Sequence, residues 1–344
     1  MKNKIANRVI PIVLAVGTIC IASPAQQSSE RHNRDNGDFA VSAVTIVDGA
    51  YATNQIAIVP EHGGSYNFLT SLPNGGFDPV FTPRANTIFF WGPVANGPDG
   101  IYSVATEGGA VTQLQTDCIT NPNCLGEGNP AVSPNGRELL APRALGPIDA
   151  NGCFAYGGIY RMRIDGSHPE QLKSGPACTS DFEPRWSPDG RKILFQHQDL
   201  TGLFSLWVMR RDGSYRHQIS PAGLDSGNPD WSPDGERIVF QSPAEPADDV
   251  TPQQIYTIHP DGTHLVQITH YAPVSGLTIG TFHPRWSPDG QQIVFAHRDA
   301  QTTIGPDGLP HADLFVMDPD GGDVVQVTFS PEKDNAPDWG PRRR

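Results

Sequence analysis

A five-residue phrase, Trp-Ser-Pro-Asp-Gly, recurs in this chain and constrains its fold more than any other feature. It is complete at Trp186–Gly190, Trp231–Gly235 and Trp286–Gly290. A trimmed copy stands at Trp339-Gly340-Pro341, and eroded copies at Phe81-Thr82-Pro83 and Val132-Ser133-Pro134-Asn135-Gly136. Each follows an X-Pro-X triplet, and the six prolines (Pro79, Pro130, Pro184, Pro229, Pro284, Pro337) are 51, 54, 45, 55 and 53 residues apart. A period of roughly 50 residues signals a propeller or a solenoid.

One repeat can be read strand by strand. In Glu183-Pro184-Arg185-Trp186 alternation puts Pro184 and Trp186 on one side and Arg185 on the other. Ser187-Pro188-Asp189-Gly190 is a turn, with proline presetting φ and glycine taking the strained last place. Lys192–Phe195 reads as a second strand and Ser205–Met209 as a third; the Asp212-Gly213 hairpin leads to a fourth, His217–Ser220. The order recurs in Arg237–Phe240 and Gln292–Phe295, and in Ile255–Ile258 and Leu314–Met317. Four antiparallel strands per unit make a propeller blade. The last Trp motif has almost nothing after it, so its blade needs strands from the other end: Phe39–Val47, Gln55–Val59 and Tyr66–Thr70, with a Gly63-Gly64 turn. The expected fold class is all-β, a six-bladed propeller closed by a C-terminal strand, Ala336–Arg344, joining the N-terminal blade. The motif tryptophans are read as core, each burying roughly 150–250 Å².

Gly 36 and Pro 33 make the chain turn-rich, and their fixed offsets argue against disorder. The first 25 residues differ from the rest. Lys2, Lys4 and Arg8 precede an apolar run, Val9–Ala22, and small residues at Ser23-Pro24-Ala25. This is the pattern of a secretory signal peptide cleaved after Ala25, giving residues 1–25 as signal, 26–38 as flexible leader and 39–344 as propeller. Cys20 raises lipid attachment as an alternative, but Gly17-Thr18-Ile19 makes a poor lipobox. The expected location is periplasmic or secreted, with no span in the mature chain and a monomeric state. Cys118, Cys124, Cys153 and Cys178 then remain, an even number that argues for disulfides in an exported chain. Cys118–Cys124 would staple a small loop and leave Cys153–Cys178, though all three connectivities stay open. The net charge of −13 falls to −16 once Lys2, Lys4 and Arg8 are removed, which excludes nucleic acid as a partner class.

The X-Pro-X-Trp-Ser-Pro-Asp-Gly phrase, the apolar second strand and the Asp-Gly turn after the third resemble the TolB-like six-bladed propellers over residues 39–344. That resemblance implies an extracytoplasmic, protein-binding scaffold. It also implies a stand-alone relative, because residues 26–39 leave no room for the α/β domain that precedes the propeller of TolB proper. Related propellers precede the hydrolase domain of prolyl-oligopeptidase-type enzymes, but no Gly-X-Ser-X-Gly elbow occurs here.

The residues flanking the repeated prolines are the candidate channel-mouth binding set. Between Pro and Trp stand Arg185, Asp230, Arg285 and Asp338, whose alternating sign predicts either inter-blade salt bridges or a charged mouth that receives a partner segment. Before Pro stand Asp78, Asn129, Glu183, Asn228, His283 and Ala336, a polar ring that could anchor a peptide or a divalent cation such as Ca²⁺ or Mg²⁺. No catalytic residue is assigned. His197 and His297 hold matching places after second strands, and oligogalacturonate lyases, which share this propeller type, use His and Gln ligands around a metal. The default for these histidines is a surface position. Asp318–Asp323 mimics part of a calcium loop but is expected to be a hairpin turn. The leading expectation is a non-catalytic scaffold binding a protein or peptide; the alternative is a metal-dependent carbohydrate-active or sugar-binding propeller. The long loops Cys118–Asn129, Pro142–Gly158, Pro243–Gln254 and Arg298–Asp313 are candidate contact surfaces.

Overall fold

A computed structural model describes residues 36–94, 97–146, 155–172, 178–244, 252–272, 280–298, 302, 304–306, 311–329 and 331–342. The expected signal peptide, nearly all of the expected leader, and Cys153 lie outside the described residues. The chain forms six antiparallel blades in a propeller ring. Blade 1 unites both ends of the fold: β1 (Asn36–Val47), β2 (Ala50–Val59) and β3 (Asn67–Phe68) with β25 (Lys333–Pro341) as its innermost strand. Blade 2 holds β4 (Phe77–Phe81), β5 (Thr87–Gly92), β6 (Gly100–Ala105) and β7 (Thr112–Gln113). In blade 3 the inner strand is split into β8 (Cys124–Glu127) and β9 (Ala131–Val132), followed by β10 (Glu138–Leu145), β11 (Ala155–Arg163) and β12 (Glu170–Gln171). Blade 4 holds β13 (Ser180–Trp186), β14 (Lys192–Gln198), β15 (Phe204–Arg210) and β16 (His217–Gln218). Blade 5 holds β17 (Gly227–Trp231), β18 (Ile238–Ser242), β19 (Gln254–Ile258) and β20 (Val266–Gln267). Blade 6 holds β21 (Gly280–Trp286), β22 (Ile293–Arg298), β23 (Asp313–Met317) and β24 (Val325–Gln326).

The motif aromatics build the seams between blades. Trp186 packs with Leu140 and Ile159 of blade 3, Trp231 with Leu194 and Leu206 of blade 4, and Trp286 with Val239 and Ile255 of blade 5. Trp339 joins Val294 and Leu314 of blade 6, and Phe81 joins Ile56 and Ile58 of blade 1. All four tryptophans are buried, as core residues should be. The turn that follows each tryptophan also couples blades. Ser187 Oγ bonds Asp189 and accepts from the Lys192 amide, and Ser232 and Ser287 repeat the arrangement. Gly136, Gly190, Gly235 and Gly290 all have φ near +70°, which favours glycine. A Cβ there would lie 3.6, 3.8, 3.7 and 3.4 Å from Pro83, Pro134, Pro188 and Pro233, respectively. These four turn prolines therefore rest on the glycine of the next blade, which ties the proline and glycine of the phrase together.

The ends of blade 1 differ from expectation. β2 begins at Ala50, not Gln55, because Asp48-Gly49 makes a tight turn with φ of 52° and 75°. β1 begins at Asn36, which pairs with Pro341, so residues 36–38 are in strand. The closing strand spans Lys333–Pro341 rather than Ala336–Arg344. The disulfide Cys118–Cys124 forms, and Cys178 is also disulfide-bonded. Part of Pro142–Gly158 is strand: β10 continues to Leu145, where it still pairs with β8, and β11 begins at Ala155. Asp318–Asp323 is the hairpin turn between β23 and β24, closed by the Gly321 amide on the Asp318 carbonyl.

Candidate functional site

At the axis, the backbone itself departs from a regular strand. Asp78, Glu183, Asn228, His283 and Ala336, each immediately before the repeated proline, have φ of 48°, 47°, 51°, 54° and 45°. The residue before a proline is already driven out of the right-handed helical region, and a non-glycine residue in the left-handed region costs about 1–3 kcal/mol. At each of these positions the inner strand slips register against its neighbour, as between Phe182 and Arg185 or Gly227 and Asp230. Such bulges bend the strand and re-aim side chains. Two bulge amides are held by glutamines of the preceding blade: Asn228 N donates to Gln196 Oε1 (3.0 Å) and His283 N to Gln241 Oε1 (2.8 Å). Asn129 is the exception, because its inner strand is interrupted there.

The bulges, with Asn129 placed by the strand break, bring the predicted residues into contact across neighbouring blades. Asp78 Oδ2 accepts from Trp91 Nε1 (2.6 Å) and from Asn129 Nδ2, linking blades 2 and 3. Glu183 Oε2 lies 3.5 Å from Arg185 Nη2 and 3.9 Å from Arg285 Nη2. Arg285 is buried and donates to the Asn228 and Pro284 carbonyls. The expected alternation of inter-blade salt bridges is realised differently for the two aspartates. Asp230 Oδ2 accepts from the Trp286 amide (2.9 Å) and Asp338 Oδ2 from the Phe81 amide (2.8 Å). Their short side chains reach the adjacent blade's motif backbone. Arg185, Asp230 and Asp338 line a cavity of about 200 Å³ with Val80 and Ala131, at the end of the axis where the proline turns lie.

Electrostatics at the axis are dominated by burial. Asp230 and Asp338 keep some surface on the channel but are densely surrounded by protein, and this pushes both carboxyls up against the opposing pull of Arg285 and Arg185. Burial, together with the neighbouring Arg185, lowers the Arg285 guanidinium. His283 is pushed down to about 4 by burial, with Arg285 and Arg185 acting the same way and Asp78 opposing. It is therefore neutral at pH 7, and its buried Nδ1 makes no hydrogen bond among the described residues. Charges and dipoles in this poorly hydrated setting interact more strongly than on the open surface.

The other candidate histidines are not at a shared site. His197 and His297 are both buried, contrary to the surface default. His197 Nδ1 lies 2.7 Å from Asp181 Oδ1, and Arg216 clasps the same carboxylate beneath Trp207. His297 Nδ1 faces the Gly280 carbonyl (3.0 Å) while its ring stacks on Tyr271 at 4.1 Å. His197 is held within blade 4, whereas His297 of blade 6 packs on Tyr271, whose backbone is held by Gln254 of blade 5. Among the described residues, no group of three or more His, Cys, Asp and Glu side chains is placed to hold a metal ion, so they do not fit a lyase-type metal centre. Gln196 and Gln241 are the axial residues that sequence reasoning missed; the recurring Phe-Gln at Phe195-Gln196 and Phe240-Gln241 is the signal that could have found them.

No protein-family model matches the chain. An uncharacterized protein of Agrobacterium fabrum is 26% identical over 252 residues, covering 71% of this chain and 79% of that protein. Among solved structures, TolB from Acinetobacter baumannii superposes with a TM-score of 0.65 at 19% identity, covering 89% of this chain and 67% of its own. A putative TolB from Agrobacterium tumefaciens gives 0.59 at 17%, covering 90% and 100%. An oligogalacturonate lyase from Vibrio parahaemolyticus gives 0.53 at 15%, covering 86% and 79%. The fold is that of a TolB-like six-bladed propeller, and one such fold carries several functions. No helix among the described residues is long and apolar enough to cross a membrane.

Proposed function

We infer that this chain is an exported, non-catalytic propeller scaffold, periplasmic or secreted, that receives a segment of a protein partner at the axial channel. The observation that carries the reading is the ring of strained pre-proline residues: five left-handed bulges, four of them at Asp78, Glu183, Asn228 and His283, set polar and charged groups against one another across the inner strands. Strain of this kind persists where the surrounding structure over-determines it, and it clusters at ligand clamps. The charge set is mixed, with Asp78, Glu183, Asp230 and Asp338 against Arg185 and Arg285, which suits the alternating donors and acceptors of a peptide backbone. The hairpins between second and third strands open at the opposite end from the proline turns, because antiparallel strands alternate in direction.

The test is crosslinking capture with the purified chain in envelope and secreted fractions of the source cell, read by mass spectrometry. The expected result is one dominant partner, crosslinked to peptides flanking the axial prolines and lost with Arg185→Gln while melting is preserved. Crosslinks confined to the outer strands, or capture indifferent to Arg185→Gln, would refute the axial assignment.

A further inference from the structure

A second candidate surface lies away from the axis, on the outer side of the seam between blades 1 and 6. A groove of about 410 Å³ opens there, lined by Tyr66, Phe68, Val327, Phe329 and Glu332 among others. Beside it the two blades approach closely: a Cβ on Gly63 would fall 2.3 Å from the carbonyl oxygen of Val327, which lines the groove. Tyr66 is anchored through its hydroxyl, 2.7 Å from both oxygens of the buried Asp334. Its ring lies nearly parallel to that of Phe68, with centroids 5.7 Å apart and 16° between planes. Phe68 is 38% exposed and Phe329 70% exposed, so two large aromatic surfaces face water beside an anchored third.

The chemistry of this lining selects an occupant. Aromatic faces carry the negative side of a quadrupole and attract cations. Glu332 adds a carboxylate, and among the described residues it has no ion-pair partner. A neutral apolar group filling the groove would strip water from that carboxylate without replacing it, whereas a cation satisfies rings and carboxylate together. The neighbouring Lys333 is not among the residues that line the groove; its Nζ sits 3.8 Å over the Tyr51 ring. That contact shows the seam already holding one cation against an aromatic face. The groove runs beside β3 and β24, the two-residue outermost strands of their blades, which leave room for an extended chain.

We propose that this groove binds an arginine side chain presented by an extended basic segment of a partner protein. A planar guanidinium matches an aromatic face by stacking and a carboxylate by hydrogen bonding, which a lysine ammonium does less completely. The site is separate from the axial channel, so its failure and that of the scaffold reading are distinguishable.

The test titrates the purified full chain with the peptide acetyl-Gly-Arg-Gly-Arg-Gly-amide, and in parallel with the same peptide carrying citrulline, which keeps the shape and loses the charge. The arginine peptide is expected to bind saturably and the citrulline peptide at least about 10-fold more weakly. Phe329→Ala and Glu332→Gln are each expected to weaken the arginine peptide by about 3- to 10-fold with unchanged melting, and Arg185→Gln to leave it unaltered. Equal binding of citrulline, absence of saturable binding, preference for a neutral oligosaccharide or a choline compound, or indifference to both groove substitutions would overturn the proposal.

Discussion

The seams between blades and the axis they surround are built from the same short motif, yet they obey opposite rules. At a seam, Trp231 or Trp286 enters an apolar cluster with regular backbone around it. At the axis, three residues away, Asn228 and His283 sit in the left-handed region, and carboxylates and guanidiniums are crowded where burial disfavours their charged forms. The seams hold the ring together and the axis is held in place by them. Stability and recognition are thus separated within a single strand, and each can be perturbed alone.

The sharpest way to break this division is at the closing strand. Removing residues 333–344 takes away the inner strand of blade 1 and Trp339 from the last seam. Loss of the cooperative melting transition in circular dichroism is expected; an intact transition would show that the ring does not need its seam closed. Next in size, Trp231→Ala should cost about 3–5 kcal/mol in chemical denaturation, the range for a large buried aromatic, while Arg185→Gln at the axis should cost less, because losing its contact with Glu183 is offset by relief of its repulsion with Arg285. Similar losses from both would erase the distinction.

The smallest effects concern pH and run in opposite directions at the two regions. Asp334, buried under the Tyr66 hydroxyl at the blade 1 seam, is raised by burial from 3.8 to about 7. Its carboxyl is neutral in both states at low pH, and as pH rises toward 7 the unfolded chain ionises first. Its contribution is therefore complete below pH 3.8 and is lost as pH climbs through about 7. His283 at the axis is lowered from 6.5 to about 4, so its contribution is complete above pH 6.5 and is lost as pH falls toward 4. Melting temperatures of Asp334→Asn, relative to the parent, should increase between pH 4 and 8; those of His283→Gln should increase as pH is lowered from 7 to 4. Parallel curves for parent and variants would contradict the assigned environments.

The blades were legible because the motif repeats its geometry along with its letters. Trp needs a seam, Ser-Pro-Asp-Gly needs a turn, and the spacing counts the blades. The axial positions were legible as well, since the prolines mark them. Their conformation was not: nothing about Glu183 or His283 as a residue type announces a positive φ, which accompanies the register slips of the inner strands. The burial of His197 and His297 was equally hidden, because it depends on Asp181 and Arg216 within blade 4 and on Tyr271 reaching blade 6 from the end of blade 5, residues with no counterpart at a fixed offset. The groove at blade 1 escaped because Tyr66 and Phe329 are far apart in sequence and meet only when the ring closes.

Blade 1 carries a consequence for how the molecule comes into being. Its β1 is made first among the strands and its β25 last, with Asn36 facing Pro341 and Val44 facing Lys333. Throughout synthesis β1 has an open inner edge, a ready template for the wrong strand. Contacts of such long sequence separation form slowly. The emerging chain is thus a string of nearly finished blades awaiting one final clasp, and any factor that shields that edge in the interval would govern how much of the protein reaches its closed form.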